Sequence, residues 1–99
     1  MVKLTALYKK PSDPQQFDKH YKEVHMPLAS KIPGITKTEI AKVLGSPAGE
    51  SNYYLMTSMY FDSLDSLKAG MGSEEGKAAA RDVKNFASGL LEMMICEVQ

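Results

Sequence analysis

The sequence predicts an α+β domain whose elements follow one another as strand, helix, strand, strand, helix, strand. Three observations support this prediction: a two-residue hydrophobic period near the start, a helix N-cap signature directly after it, and three later strand-like segments with a helical region before the last. At 99 residues the chain can build one hydrophobic core and no more, so we treat residues 1–99 as a single domain.

The first two elements are a strand and a helix. Residues 2–9 largely alternate between apolar and other side chains, which is the period of a strand. Asp13 can accept a backbone N–H as an N-cap, Pro14 suits the first helical position, and Gln16 can complete a capping box. We therefore expect the first helix to begin directly after Asp13.

The middle of the chain predicts a hairpin. A Pro33-Gly34 turn leads into residues 35–45, a loop spans residues 46–52, and residues 53–61 form the third strand. Both strand segments are rich in β-branched or aromatic residues, which favour strands. We expect them to pair as antiparallel neighbours.

The last part of the chain predicts a divided helix and a final strand. Ser63 and Ser73 are typical N-caps for two helical pieces, residues 63–71 and 73–87. Residues 90–98 are apolar and partly β-branched, as in a strand. The complete order, β-α-β-β-α-β, is that of the ferredoxin-like fold, a four-stranded antiparallel sheet with its helices on one face.

The third and fourth strands are apolar on both predicted faces, whereas a sheet with one solvated face normally alternates. On the third strand, one predicted face carries Tyr53, Leu55, Met59 and Phe61, and the other carries Tyr54, Met56 and Tyr60. An exposed sheet face of this kind exceeds the apolar patch that monomers usually tolerate. We expect a homodimer in which the sheet faces pack together, the alternative being a monomer with a half-exposed sheet.

The balanced charge of the chain argues against two classes of binding partner, nucleic acids and lipid surfaces. Lys plus Arg and Asp plus Glu each number 12, so no net charge favours nucleic acid or a lipid surface. The first strand lacks the long apolar run of a signal peptide or membrane span, and we expect a cytoplasmic protein. Cys96 is the only cysteine, which excludes an internal disulfide, and we interpret it as a small core residue.

The first helix carries a predicted buried stripe and two histidines. On a regular helical wheel Phe17, Val24 and Leu28 lie within about 40° of one another, with Tyr21 beside them. His20 and His25 fall on opposite shoulders of this stripe and diverge by roughly 140°. Histidine pairs that bind a metal on one helix are three or four residues apart, so we expect no metal site.

Two interpretations of His25 remain open. It lies four residues after Tyr21, so the two side chains can face each other, and an imidazole at the core edge can move a proton beside a phenol that donates a hydrogen bond. Alternatively, Pro27 ends or bends the helix near His25, whose side chain then caps free carbonyls. For His20, a boundary residue beside the polar face is the simpler interpretation.

Two segments resemble the signature of the EthD family, small proteins named after a component of ethyl tert-butyl ether degradation loci. They are DPQQFDKHYKEVHMPLASKIPG, which includes the His-x-Pro-Leu motif of residues 25–28, and SEEGKAAARDVKNFASG, with Asp82, Asn85 and Phe86 in the expected places. The resemblance spans nearly the whole chain. It implies a dimeric α/β barrel, in which two sheets pack face to face and each subunit has a pocket between its sheet and its helices.

The resemblance also implies candidate pocket residues. His25 and Tyr21 are carried over as catalytic candidates, and His20, Tyr8, Tyr54 and Tyr60 as candidates for the substrate-binding wall. Similar folds host cofactor-free monooxygenases, lactone isomerases, polyketide cyclases and decarboxylases. The chain has no tryptophan and only one arginine, so tyrosines would take the place of a buried Trp and Arg in an oxygenase pocket.

Three functional hypotheses follow. The first is a small dimeric enzyme that converts an apolar or aromatic oxygenated metabolite by proton transfer from His25 without a metal or cofactor. The glycines of residues 45–49 belong to a hairpin connection and do not form a phosphate-binding loop, which argues against a nucleotide cofactor. The second is a noncatalytic accessory dimer that binds such a molecule or supports a partner oxygenase. In the third, every candidate residue only packs.

Overall fold

The computed structural model describes residues 1–99 as a four-stranded antiparallel sheet with the strand order β2-β3-β1-β4 and helices on one face. This confirms the predicted α+β class and element order. The elements are β1 (Val2–Lys9), α1 (Pro14–His20), a π-helical segment (Tyr21–His25), α2 (Met26–Ala29), β2 (Ile35–Lys42), β3 (Tyr53–Phe61), α3 (Leu64–Gly72), α4 (Glu74–Phe86) and β4 (Leu91–Glu97). None of these helices combines the length and the apolar character needed to cross a membrane.

Three side-chain N-caps set the helix starts where the sequence predicts them. The Asp13 carboxylate accepts the backbone N–H of Gln16 at 3.2 Å, and Pro14 occupies the first turn. Ser63 and Ser73 each accept the backbone N–H three residues ahead, at 3.1 Å in both cases. Each cap satisfies a donor that would otherwise have no partner at the helix start.

The Ser73 cap predicts a measurable stability effect. Its hydroxyl also donates to the carbonyl of Gly70 at 2.5 Å, so Ser73 links the end of α3 to the start of α4. We expect Ser73→Ala to lower the free energy of unfolding by about 1.5 kcal/mol and Ser63→Ala by about 1 kcal/mol in urea titrations. Exposed Ser88, which caps no helix, provides the control Ser88→Ala. Equal stability of the control and the Ser73 variant would contradict this role.

The buried stripe of the first helix differs from the predicted one. Its buried residues recur every four positions: Phe17, Tyr21, His25 and Ala29. Val24, predicted to be buried, is 41% exposed, and Leu28 is only half-buried. In a regular α-helix, residues four apart drift by about 40° around the axis. The π-helical segment has a wider turn that rotates less per residue, which counteracts this drift and keeps the four side chains on one face.

Pro27 does not end the first helix at His25, as one interpretation required. The helix continues through α2 to Ala29, and the wide turn lies directly before the proline. The N–H of Met26 bonds to the carbonyl of Tyr21, five residues back. Proline has no N–H to donate and its ring crowds the preceding turn, which favours the change of hydrogen-bond register seen directly before it. His25 therefore lies inside the helix and is not a C-terminal cap.

The outer sheet face, defined here as the face opposite the helices, is more polar than predicted. Twelve of its positions, read from the regular part of the strand register, are Lys37, Glu39 and Ala41 on β2, Met56, Ser58 and Tyr60 on β3, Lys3, Thr5 and Leu7 on β1, and Glu92, Met94 and Cys96 on β4. At its centre, the hydroxyls of Thr5 and Ser58 bond at 3.3 Å. Cys96, predicted as a core residue, is half-exposed on this face.

An irregularity in strand pairing reverses the sheet faces on which the two tyrosines at the start of β3 lie. The register of β1 with β3 shifts between Tyr8 and Lys9, so that Lys9 pairs with Tyr53. Tyr53 then lies on the outer sheet face and Tyr54 on the helix side, the reverse of the prediction. A bulge adds one residue to one strand, and alternation therefore restarts on the opposite face.

Candidate functional site

A cavity of about 170 Å³ lies between the helix-facing side of the sheet and the helices. Thirteen of its 15 lining residues are hydrophobic, so the interior is apolar with few polar groups. Tyr8, Tyr21, His25 and Thr57 are the lining residues whose side chains carry nitrogen or oxygen atoms. This combination of an apolar wall and a few convergent polar groups is typical of small-molecule sites.

The local structure of three elements places these side chains. Tyr8 lies on the helix-facing side of β1, and Thr57 occupies the corresponding side of the neighbouring β3. The π-helical segment begins at Tyr21 and ends at His25, so the wide turn presents both residues to the same cavity. π-helical turns occur frequently at functional sites because they redirect side chains in this way.

Asp82 of α4 accepts hydrogen bonds from both histidines. The Nδ1 of His25 lies 3.1 Å from Oδ2, and the Nε2 of His20 lies 2.9 and 3.1 Å from the two carboxylate oxygens. Asn85 donates its side-chain N–H to Oδ1 at 3.0 Å. The prediction that the two imidazoles diverge is therefore wrong, because each leans from its own side of the first helix toward one carboxylate.

The hydrogen bonds fix the charge of Asp82. Its side chain is only 5% exposed. Burial acts to raise the pKa of Asp82, but the hydrogen bonds from Asn85, His20 and His25 outweigh it and hold this pKa below the ordinary aspartate value. Asp82 is therefore an ionised acceptor at neutral pH.

His25 is held neutral and oriented. Burial lowers the pKa of His25, and the hydrogen bond and charge of Asp82 only partly offset this effect. Since a carboxylate can only accept, the Nδ1 of a neutral His25 carries the proton that is donated to Asp82. Nε2 then has a free lone pair and no hydrogen-bond partner within the chain, on a ring that lines the cavity. This arrangement is that of a general base positioned by a carboxylate.

The two cavity tyrosines differ in their hydrogen bonding. The Tyr21 hydroxyl is bonded to the hydroxyl of Thr57. Tyr8 is 2% exposed, and its hydroxyl makes no hydrogen bond within the chain. Since no buried polar side-chain atom lacks a partner, this hydroxyl is open to water or a bound molecule in the cavity. Burial raises the pKa of Tyr8 and also that of Tyr21, so both remain neutral phenols able to donate.

Three of the six candidate site residues line the cavity, namely Tyr8, Tyr21 and His25. The other three do not line it. His20 is bound to Asp82 and lines a more polar surface groove, Tyr54 donates to the Asp18 carboxylate at 2.8 Å, and Tyr60 donates to Glu39 at 2.6 Å on the outer sheet face. No group of three or more His, Cys, Asp or Glu side chains is arranged to hold a metal ion.

Reasoning from the residues alone missed Asp82 and Thr57 as members of the site. Asp82 follows Ala79 by three positions and, like Ala79, lies on the buried face of α4. A carboxylate on a buried helix face is rare unless it is paired, and this position was the available signal. Thr57 has no comparable signal, since a threonine within an apolar strand is ordinary.

The state of His25 predicts a pH dependence of stability. Because the pKa of His25 in the folded protein lies below its ordinary value of 6.5, the unfolded chain binds the proton first as the pH falls. The free energy of unfolding should therefore decline on acidification, starting near pH 6.5, and urea titrations from about pH 7.5 to about pH 5 measure this slope.

The variant His25→Gln should show a shallower slope over the same interval. Asp82 does not obscure the comparison, because its stabilising contribution is lost only as the pH falls below the ordinary carboxyl value of 3.8. An unchanged slope in His25→Gln would mean that His25 titrates in the folded protein as it does in the unfolded chain.

Comparisons with known proteins agree with this architecture. The model of the EthD domain matches residues 9–89. The chain is 34% identical over 97 residues to an uncharacterized 11.0 kDa protein in the thcB-thcC intergenic region of Rhodococcus erythropolis, a match that covers 98% of this chain and 94% of that protein.

Two solved structures extend the comparison. A crystal structure of an EthD family protein from Bacillus halodurans C-125 is 48% identical, covers 100% of this chain and 99% of its own, and superposes with a TM-score of 0.96. A dimeric protein of unknown function with a ferredoxin-like fold from Bacteroides fragilis is 22% identical, with coverage of 98% and 95% and a TM-score of 0.68. The second likeness extends to the fold alone.

Proposed function

The chain belongs to the EthD family, and we propose that it is a small homodimeric protein that binds an apolar or aromatic oxygenated metabolite and transfers a proton with His25. One observation carries this proposal: a neutral imidazole, hydrogen-bonded through Nδ1 to a buried carboxylate, lines an apolar cavity. The proposed step requires neither a metal ion nor an organic cofactor, because proton transfer needs only a base of suitable pKa.

The residues around the cavity have distinct proposed roles. The Nε2 of His25 takes a proton from an acidic C–H or O–H group of the ligand, and Asp82 stabilises the imidazolium that forms. The hydroxyl of Tyr8 donates to an oxygen on which negative charge develops. His20 and Asn85 act as positioning residues, since both hydrogen-bond the carboxylate that orients His25.

This arrangement suits reactions that begin with the removal of a proton from the ligand. Removal of a proton next to an oxygenated carbon can begin isomerisation, cyclisation, decarboxylation or a cofactor-free oxygenation, and one fold can host all of these. The proposed activity is therefore a proton-transfer step on an apolar or aromatic ligand.

A probe reaction tests the base directly. When a base removes the C3 proton of 1,2-benzisoxazole, the N–O bond breaks and the phenolate of 2-hydroxybenzonitrile forms, whose absorbance reports turnover. We expect the protein to exceed free imidazole at equal concentration by at least about 10-fold, because the cavity holds the probe against the base. His25→Gln should reduce the rate to the buffer background while circular dichroism shows an intact fold.

Tyr53→Phe is the control, since Tyr53 lies on the outer sheet face and donates to Glu92 at 2.8 Å, away from the cavity. This variant should turn the probe over at the original rate. If the original protein and His25→Gln were equally active, or both were inactive, His25 would not be an accessible base and the catalytic proposal would fail.

A noncatalytic accessory role is the second candidate, and one observation favours it. On β4, Met93 and Ile95 face the helix side of the sheet and are still 47% and 54% exposed. An apolar edge that remains uncovered is suited to a partner protein such as an oxygenase. This role predicts no turnover of the probe by the isolated protein and a measurable complex with the partner.

The homodimer is proposed through the outer sheet face. That face combines the apolar side chains of Leu7, Met56 and Met94 with the paired hydroxyls of Thr5 and Ser58. Charged residues lie around them, namely Lys3, Lys37, Glu39 and Glu92. Such a patch suits a two-fold contact in which each copy covers the same surface of the other. The dimeric state of the Bacteroides fragilis protein gives the proposal further support.

A further inference from the structure

The volume of the cavity matches a ligand with one six-membered ring. A dry apolar cavity of about 150 Å³ holds one benzene molecule. The cavity here measures about 170 Å³, so it accommodates a six-membered ring with one or two small substituents. The ring planes of Tyr8 and Tyr21 are 78° apart with centroids at 5.7 Å, and such walls favour edge-to-face contact with an aromatic ring.

Two polar atoms on the wall make no hydrogen bond within the chain, and their roles are opposite. The Tyr8 hydroxyl can donate, and the Nε2 of His25 can only accept, because Nδ1 carries the proton given to Asp82. Tyr21 and Thr57 already bond to each other. A bound molecule that satisfies both free atoms must therefore accept one hydrogen bond and donate another.

A hydroxyl group meets this requirement because it can both accept and donate a hydrogen bond. A ketone or an ether oxygen would accept from Tyr8 and leave Nε2 without a donor, and a hydrocarbon would leave both atoms unpaired. A carboxylate would have to leave water and enter an apolar cavity close to the ionised Asp82, which is unfavourable on both counts. The ligand is therefore expected to be neutral.

We infer that the cavity takes a neutral single-ring phenol, whose hydroxyl accepts from the Tyr8 hydroxyl and donates to the Nε2 of His25. This inference rests on the proposed function in one respect, since it takes the cavity to be the ligand site. It goes further in naming the size, charge and polar group of the ligand. A phenol with an unperturbed pKa near 10 stays protonated at pH 7 and can donate as required.

Phenol and toluene test the inference, because they share a ring and differ in a hydroxyl against a methyl group. Titrations at pH 7, followed by NMR shifts of methyl groups from cavity residues such as Ala6, Ala29 and Thr57, give both dissociation constants. We expect phenol to bind at least about 10-fold more tightly than toluene. Tyr8→Phe should reduce this preference several-fold, whereas Tyr53→Phe, the same change on the outer sheet face, should leave it intact.

Each outcome has a defined meaning. Equal binding of phenol and toluene would overturn the hydroxyl anchor and leave the cavity as a ligand site. Displacement of phenol by benzoate at comparable concentration would overturn the requirement for a neutral ligand. If neither phenol nor toluene binds, both this inference and the proposed binding site fail. The preference measured on the original protein decides the matter even if Tyr8→Phe does not fold.

Discussion

Replacement of Asp82 by alanine should lower the free energy of unfolding by about 3 kcal/mol. The substitution leaves three donors without their acceptor, on buried His25, half-buried His20 and exposed Asn85. Hydrogen bonds to a charged group each contribute about 1.5–3 kcal/mol, and part of that is recovered when a donor reaches water. Urea unfolding monitored by circular dichroism measures the loss.

Asp18 provides the matched control. Its carboxylate accepts a hydrogen bond from Tyr54 at 2.8 Å, but it is half-exposed, so water can replace that partner. Asp18→Ala should therefore cost less than about 1 kcal/mol. A similar loss in both variants would mean that the Asp82 cluster is no stronger than a surface contact.

The same variant should change the protonation of His25. The hydrogen bond and negative charge of Asp82 support the imidazolium, whereas burial opposes it. Without the carboxylate, the pKa of His25 should fall further below its ordinary value, which NMR titration of the imidazole protons can follow. A rise of this pKa in Asp82→Ala would show that the carboxylate does not orient the ring as described.

Replacement of Met94 by lysine should disrupt the proposed homodimer. Met94 is 43% exposed in the subunit and lies on the outer sheet face, so a lysine there should leave the folded subunit largely undisturbed. In the dimer each copy would bury an unpaired ammonium group, at a cost of at least about 3 kcal/mol. We therefore expect the dissociation constant, measured by sedimentation equilibrium, to rise by at least about 100-fold.

Ile95→Lys is the matched control for this prediction. Ile95 is the next residue on the same strand, is 54% exposed and faces the helix side of the sheet. It should sediment as the original protein does. A monomeric original protein at micromolar concentration would refute the homodimer, and dissociation caused by Ile95→Lys but not by Met94→Lys would assign the contact to the other face.

Most of the fold could be predicted from the sequence because its signals are local. The period of β1, the Asp13 cap and the two serine caps each depend on residues close in the chain. The faces of the strands were less predictable. Alternation of apolar and polar side chains predicts the face of each residue only while the pairing register stays regular. The register of β1 with β3 shifts beside Tyr53, and because these strands are distant in sequence, no local signal predicts that shift.

The site was predictable to a smaller extent, for a related reason. Tyr21 and His25 are four apart, and their shared direction was expected. The meeting of both histidines at Asp82 was not, since a helical wheel assumes uniform rotation and says nothing about a second helix. Asp82 and His20 are separated by 62 positions in sequence, and only tertiary packing brings them together.

The wide turn at Tyr21–His25 has a further consequence, for engineering and for sequence alignment. It is equivalent to an α-helix that has received one extra residue, so deleting one position between Lys22 and Val24 would restore a regular helix and leave the downstream residues on nearly the same face. If all the present residues were kept in a regular α-helix instead, every residue downstream would rotate by about 100° relative to those upstream. A designer who transplants this tyrosine and histidine must therefore copy the insertion together with the pair.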